Sequence, residues 1–146
     1  MKWSIRKFIA TWIIFTPTAI ITMTDEKKKI FVVDDDPLFS TLLSDHLKDL
    51  GQFAVTVFGT GEECLKHLDE GPDTIILDYY LDSKVPGVMN GLEVLKLIHK
   101  KIPDLKVIML SSQERYGVAL QTIASGAVSY VIKDTGSFEE ITRLLS

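Results

Sequence analysis

From Lys29 onward, short apolar runs alternate with amphipathic stretches. The apolar runs are Ile30–Val33, Ala54–Phe58, Thr74–Leu77, Val107–Leu110 and Tyr130–Ile132. Each is short and rich in β-branched or aromatic residues, which predicts strands buried on both faces. The stretches between them carry helical spacing. Leu38, Leu42, Leu43, Leu47 and Leu50 follow one helix, and Gly51 supplies its stop. Thr60-Gly-Glu-Glu63 predicts a capping box opening a short second helix that ends before Gly71-Pro72. Gly91–Lys101 places Leu92, Leu95 and Ile98 on one face and stops before Pro103. A fourth helix is expected from about Ser112 to Gly126. Ser137 is expected to cap a fifth, with Phe138, Ile141, Leu144 and Leu145 inward.

Five strand-then-helix units imply an α/β fold, a parallel sheet with helices on both faces. In such sheets ligands bind beyond the carboxyl ends of the strands, where the strand order reverses. That rule says where chemistry should be sought.

Length and composition narrow the class. A chain of 146 residues with 46% hydrophobic and 25% charged residues favours one soluble domain. The net charge of −4, with no Lys/Arg run along any helix, argues against direct nucleic-acid binding. The single cysteine, Cys64, excludes an internal disulfide and a cysteine-based zinc site. It lies in an apolar helical pattern and reads as a small buried hydrophobe. His46, His67 and His99 sit on three predicted helices without ligand-like spacing.

The first residues differ from the rest. Lys2, Arg6 and Lys7 precede the largely apolar stretch Phe8–Ile21, which is interrupted by threonines and Pro17. The stretch is short for a membrane-spanning helix and has no A-x-A-like cleavage site. Three readings stay open: translation starting at Met23, a weak membrane anchor, or a signal peptide. The expected organisation is a leader over residues 1–24 and one domain over residues 25–146. The expected location is the cytoplasm, with a membrane-tethered form left open by the leader.

Acids gather at the predicted strand ends. The first strand runs into Asp34-Asp35-Asp36-Pro37 and the third into Asp78. Two carboxylates about 4 Å apart repel by roughly 4 kcal/mol at an effective dielectric near 20. A cation or a raised pKa must relieve such a cluster. Oxygen ligands with room for water suit Mg²⁺. Asp36 is explained as a helix cap before Pro37, but Asp34, Asp35 and Asp78 are not. Ser111 follows the fourth strand and Lys133 the fifth. Mg²⁺ and Lys133 together balance three carboxylates. A phosphoryl group on Asp78 would offer oxygens to Mg²⁺, Lys133 and the Ser111 hydroxyl, and phosphoryl transfer is mostly positioning and charge neutralisation.

This ordered set resembles the receiver domain of two-component response regulators, over Lys28–Leu145. The resemblance implies a flavodoxin-like, doubly wound five-stranded parallel sheet of order 2-1-3-4-5. It implies that Asp34 and Asp35 organise Mg²⁺, that Asp78 is the nucleophile and phosphoacceptor, and that the Tyr80 backbone carbonyl is a further metal ligand. Ser111 matches the switch hydroxyl, Tyr130 the switch aromatic and Lys133 the lysine that contacts the phosphoryl group. The implied donor is a sensor histidine kinase or a histidine phosphotransfer protein. The implied output is a downstream protein bound by the face of the fourth helix, fifth strand and fifth helix. A homodimer is left open. The implied protein is not a turnover enzyme but a phosphoacceptor that catalyses its own phosphorylation and dephosphorylation.

Three positions depart from the family pattern. Asp134 stands where proline usually follows the lysine, so a trans Lys133–Asp134 bond is expected. The loop after Asp78 is longer, running from Leu81 to Asn90. Tyr80 and Gln113 occupy positions that tune water access to the acyl phosphate, and slow self-dephosphorylation is expected. Two alternatives compete: a phosphorylation-independent adaptor on the same fold, and a metal-dependent phosphohydrolase with Asp82 as the second acid. The residues up to Ser146 include no recognition helix, basic wing or enzymatic extension. The chain therefore reads as a stand-alone receiver or as a piece whose effector lies beyond it.

Overall fold

A computed structural model describes residues 26–81 and 86–146. The leader, Asp82 and the centre of the loop after Asp78 lie outside the described residues. Five strands form one parallel sheet: β1 (Lys28–Val33), β2 (Phe53–Phe58), β3 (Thr74–Asp78), β4 (Lys106–Ser111) and β5 (Ser129–Ile132). Their order is β2-β1-β3-β4-β5, as expected from the resemblance. The helices are α1 (Pro37–Asp49), α2 (Gly61–Lys66), α3 (Gly91–Lys101), α4 (Tyr116–Ala124) and α5 (Ser137–Leu145).

The central strand β3 is buried along its whole length, and β1 and β4 are buried after their opening lysines, because helices cover both faces. β2, expected to be buried on both faces, exposes Ala54, Thr56 and Val57 because it is an edge strand. Ile30, Val32, Ile76, Ile108, Leu110 and Val131 meet Leu43 and Leu47 of α1 and Ile141 and Leu145 of α5. Phe31, Val33, Ile75, Leu77, Val107 and Met109 face the other way, onto Cys64 of α2 and Leu92, Val94, Leu95 and Ile98 of α3. Alternation along each strand thus divides the core into two layers. Each buried Leu or Ile side chain contributes about 1.5–3 kcal/mol relative to exposure. Cys64 is fully buried, as expected, and burial pushes its thiol up to about 12.

The local signals hold with adjustments. Asp36 caps α1, its Oδ1 accepting the Leu38 N–H at 3.0 Å, and Pro37 opens the helix. Thr60 Oγ1 accepts the Glu63 N–H, and a full reciprocal box forms at Asn90 and Glu93. α2 ends at Lys66 and passes into a 3₁₀ turn, Leu68–Glu70. α4 begins at Tyr116 rather than Ser112. The reason is local: Ser111 Oγ accepts the Gln113 N–H and donates to the Gln113 carbonyl, both at 3.2 Å, a turn that competes with helix. Ser137 is the first residue of α5 rather than its cap, and its Oγ donates to the Asp134 carbonyl. Leu144, expected inward, is exposed, as are Leu38, Leu42 and Leu50 of the first helical pattern. Among the described residues no helix is long and apolar enough to cross a membrane.

Candidate functional site

Strand register builds the site. Val33 pairs with Leu77, so the next residues, Asp34 and Asp78, leave adjacent strands side by side. Asp78 pairs with Leu110 and Ser111 with Ile132, which sets Ser111 one step and Lys133 two steps further along the same edge. Backbone bonds continue that register past the sheet: the Tyr79 N–H donates to the Leu110 carbonyl at 2.9 Å and the Lys133 N–H to the Ser111 carbonyl at 2.8 Å. Asp34 is held further by its Oδ1, which accepts the Asp36 N–H at 2.9 Å.

The side chains converge. Lys133 Nζ lies 2.6 Å from Asp34 Oδ2 and 3.2 Å from Asp78 Oδ2. Asp34, Asp35 and Asp78 each offer a carboxylate oxygen within 4.8 Å of the others. Asp34 and Asp78 are buried; Asp35 is half-buried. Burial, reinforced by the neighbouring Asp34 charge, pushes Asp78 up to about 6 despite Lys133. Burial likewise raises Asp34. Burial works against the Lys133 ammonium, but the Asp78 and Asp34 charges outweigh it and hold that pKa above the ordinary lysine range. The edge is therefore a buried cluster in which one lysine offsets only part of the negative charge. Hard oxygen donors at this separation fit a divalent hard cation such as Mg²⁺.

The surrounding loops complete the mouth. The Tyr80 hydroxyl donates to Gln113 Oε1 at 3.3 Å, bridging the loops after β3 and β4. The Tyr130 hydroxyl donates to the Gln113 carbonyl at 3.0 Å. Burial raises the Tyr130 pKa. Gly91 opens α3 against the site strand, and a Cβ there would overlap the Asp78 carbonyl oxygen. The Gly91 N–H donates to the Tyr79 carbonyl at 2.9 Å, closing the neck of the long loop. All peptide bonds among the described residues are trans, Lys133–Asp134 included.

Residues 30–145 match the family model described as the response regulator receiver domain. The chain belongs to that family. It is the receiver domain of a two-component response regulator. Among relatives, it is 33% identical over 106 residues to the chemotaxis protein CheY of Listeria monocytogenes, covering 72% of this chain and 85% of that one. It is also 33% identical over 119 residues to the protein-glutamate methylesterase/protein-glutamine glutaminase of Thermotoga maritima, covering 79% of this chain. The receiver spans about a third of that longer protein, 33% of its length. The crystal structure of the NtrX receiver domain from Brucella abortus superposes with a TM-score of 0.70 at 26% identity, covering 80% of this chain and 94% of that one.

Asp34, Asp35, Asp78 and Lys133 are thus gathered as the sequence predicted, with Ser111 one register step away and engaged with Gln113. Two contacts of this receiver domain escaped the sequence reading. The Phe39 ring lies 4.6 Å from Lys133 Nζ, and Glu62 Oε1 accepts the Met89 N–H at 2.8 Å, bracing the end of the long loop. Phe39 looks like any core aromatic in sequence, and Glu62 like a first-turn helix acid. Only the folded register pairs them with their partners.

Proposed function

We propose that this receiver accepts a phosphoryl group on Asp78 from phosphohistidine on a sensor kinase or a histidine phosphotransfer protein. The observation that carries this reading is the Lys133 ammonium set between Asp34 and Asp78, inside a three-carboxylate cluster. An Asp78 carboxylate oxygen attacks phosphorus, the phosphorus–nitrogen bond of the donor breaks, and its electron pair returns to the imidazole. Lys133 turns toward the transferring oxygens and neutralises part of their charge. Asp34, Asp35, Asp78 and the Tyr80 backbone carbonyl would hold Mg²⁺, which when bound supplies the rest of that neutralisation. The Ser111 hydroxyl then donates to a phosphoryl oxygen in place of the Gln113 carbonyl.

That exchange gives the phosphoryl group a way to favour one arrangement over another. Tyr130 moves inward as Ser111 leaves Gln113. The affected face runs over α4, β5 and α5, where Tyr116, Leu120 and Ile123 are exposed. A groove of about 220 Å³ lies beside it, lined in part by Arg115, Tyr116 and Tyr130. A downstream protein docks there, and the protein works in the cytoplasm as a self-phosphorylating acceptor rather than as a turnover enzyme.

Labelling by acetyl phosphate tests the reading. Wild-type protein should take up phosphate in a Mg²⁺-dependent way, and Asp78→Asn should take up none. Wild-type protein that stays unlabelled would instead support a phosphorylation-independent adaptor.

A further inference from the structure

The Lys133 ammonium is held between two carboxylates and an aromatic ring. Nζ lies 2.6 Å from Asp34 Oδ2, 3.2 Å from Asp78 Oδ2 and 4.6 Å from the centroid of Phe39. Phe39 comes from the first turn of α1, immediately after the acidic run. Its ring is braced from α5: Phe138 packs against it edge-on, with centroids 5.5 Å apart and planes at 76°. Phe138 is in turn backed by the His46 ring at 5.4 Å, and His46 Nε2 lies 3.0 Å from Thr142 Oγ1. The ring beneath the ammonium is therefore fixed by two helices. An aromatic face attracts a cation through its quadrupole, and more strongly where water is excluded. The Lys133 side chain is only 13% exposed.

We propose that Phe39 is a positioning residue for phosphoryl transfer, its ring face holding the Lys133 ammonium in place while the carboxylate partners change. The inference rests on Asp78 being the phosphoacceptor. When an Asp78 oxygen bonds to phosphorus, it loses most of its attraction for the ammonium. Asp34 is at the same time shared with the metal site. The ring interaction is unaffected by either change. It also consumes no N–H, so the ammonium hydrogens that the carboxylates release can turn toward phosphoryl oxygens. Leucine at position 39 would keep the apolar volume and lose this hold.

Initial rates of Asp78 labelling by acetyl phosphate, with Mg²⁺ and the full chain, test the assignment. Phe39→Leu should slow labelling roughly 3- to 30-fold, the range spanned by partly and fully desolvated cation–π contacts. Phe39→Tyr keeps the ring face and should restore the rate. With Lys133→Gln in place, Phe39→Leu should cause no further loss, because the ring acts through the lysine. In proton spectra, the Lys133 methylene next to Nζ should be shifted upfield by the ring in wild type and Phe39→Tyr, and should lose that shift in Phe39→Leu. Phe39→Leu labelling at the wild-type rate overturns the proposal. So does an equal loss in the Lys133→Gln background, which would make Phe39 a packing residue only. A wild-type protein that takes no label at all overturns the phosphoacceptor reading, and this inference with it.

Discussion

Ser111 and Tyr130 share one acceptor: both hydroxyls donate to the Gln113 carbonyl, at 3.2 Å and 3.0 Å. Ser111 stands at the end of β4 and Tyr130 inside the neighbouring β5, so a hydroxyl at the site and a half-buried aromatic answer to the same backbone oxygen. If the phosphoryl group recruits Ser111, Tyr130 is left as the sole donor of the pair. Binding of beryllofluoride with Mg²⁺ should shift the Tyr130 signal in fluorotyrosine spectra of the wild-type protein. In Ser111→Ala that shift should shrink while binding persists. An unchanged shift would separate Tyr130 from Ser111.

The acid cluster makes the metal-free protein sensitive to pH. Asp78 has an ordinary value of 3.8 and stands at about 6 when folded, so between those values the native state holds a proton that the unfolded chain releases. Stability is then full below about pH 4 on this account and falls as pH rises through 6, by on the order of 3 kcal/mol if Asp78 acted alone. Chemical denaturation at a series of pH values should show that decline without Mg²⁺. Added Mg²⁺ should reverse it near neutrality. Asp78→Asn should flatten the profile and leave the metal-free protein more stable than wild type at pH 7.

Tyr80 donates to the Gln113 side chain across the mouth of the site. If Asp78 carries a phosphoryl group, a bridge of this kind would restrict the approach of water to it. Tyr80→Ala should speed loss of phosphate from the labelled protein by about 2- to 10-fold, the worth of one net hydrogen bond expressed as a rate. The decay of the label after removal of the phosphodonor measures it. Equal lifetimes would dismiss the bridge as a barrier.

Gly91 is fixed by sterics rather than by φ. A Cβ there meets the Asp78 carbonyl oxygen and the Tyr79 Cα, both backbone atoms that cannot rotate away. Gly91→Ala should lower stability by about 1–3 kcal/mol and displace the end of β3 at Asp78. A thermal melt together with the labelling rate checks both effects, and loss of stability with normal labelling would limit the role of Gly91 to packing.

Leu38 is 69% exposed and Leu42 51%, one turn apart on α1 next to the acidic run. If a phosphorylated donor protein docks at this site, these two leucines lie where it would make contact. Leu38→Ser should slow transfer from a phosphorylated donor protein roughly tenfold, as expected for loss of about 1.4 kcal/mol of contact. Labelling by acetyl phosphate, which needs no docking, should keep its rate.

The order of elements was legible because it rests on local physics. Runs such as Ile30–Val33 and Thr74–Leu77 are apolar on both faces, which only a covered parallel strand explains, and Asp36-Pro37 marks a helix start by its own hydrogen-bonding capacity. The acids and the lysine were legible because each ends a strand, and the strands of such a sheet end together. Local turns were less so: Ser111 and Gln113 bond each other and delay α4 to Tyr116, a competition that periodicity does not register. What tertiary structure alone decided was distance and company. The pairing of Val33 with Leu77 brings Asp34 beside Asp78, the pairing of Ser111 with Ile132 delivers Lys133 between them, and α1 lays Phe39 against the lysine. Those contacts join residues far apart in the chain, and register, burial and side-chain direction exist only once the sheet has closed.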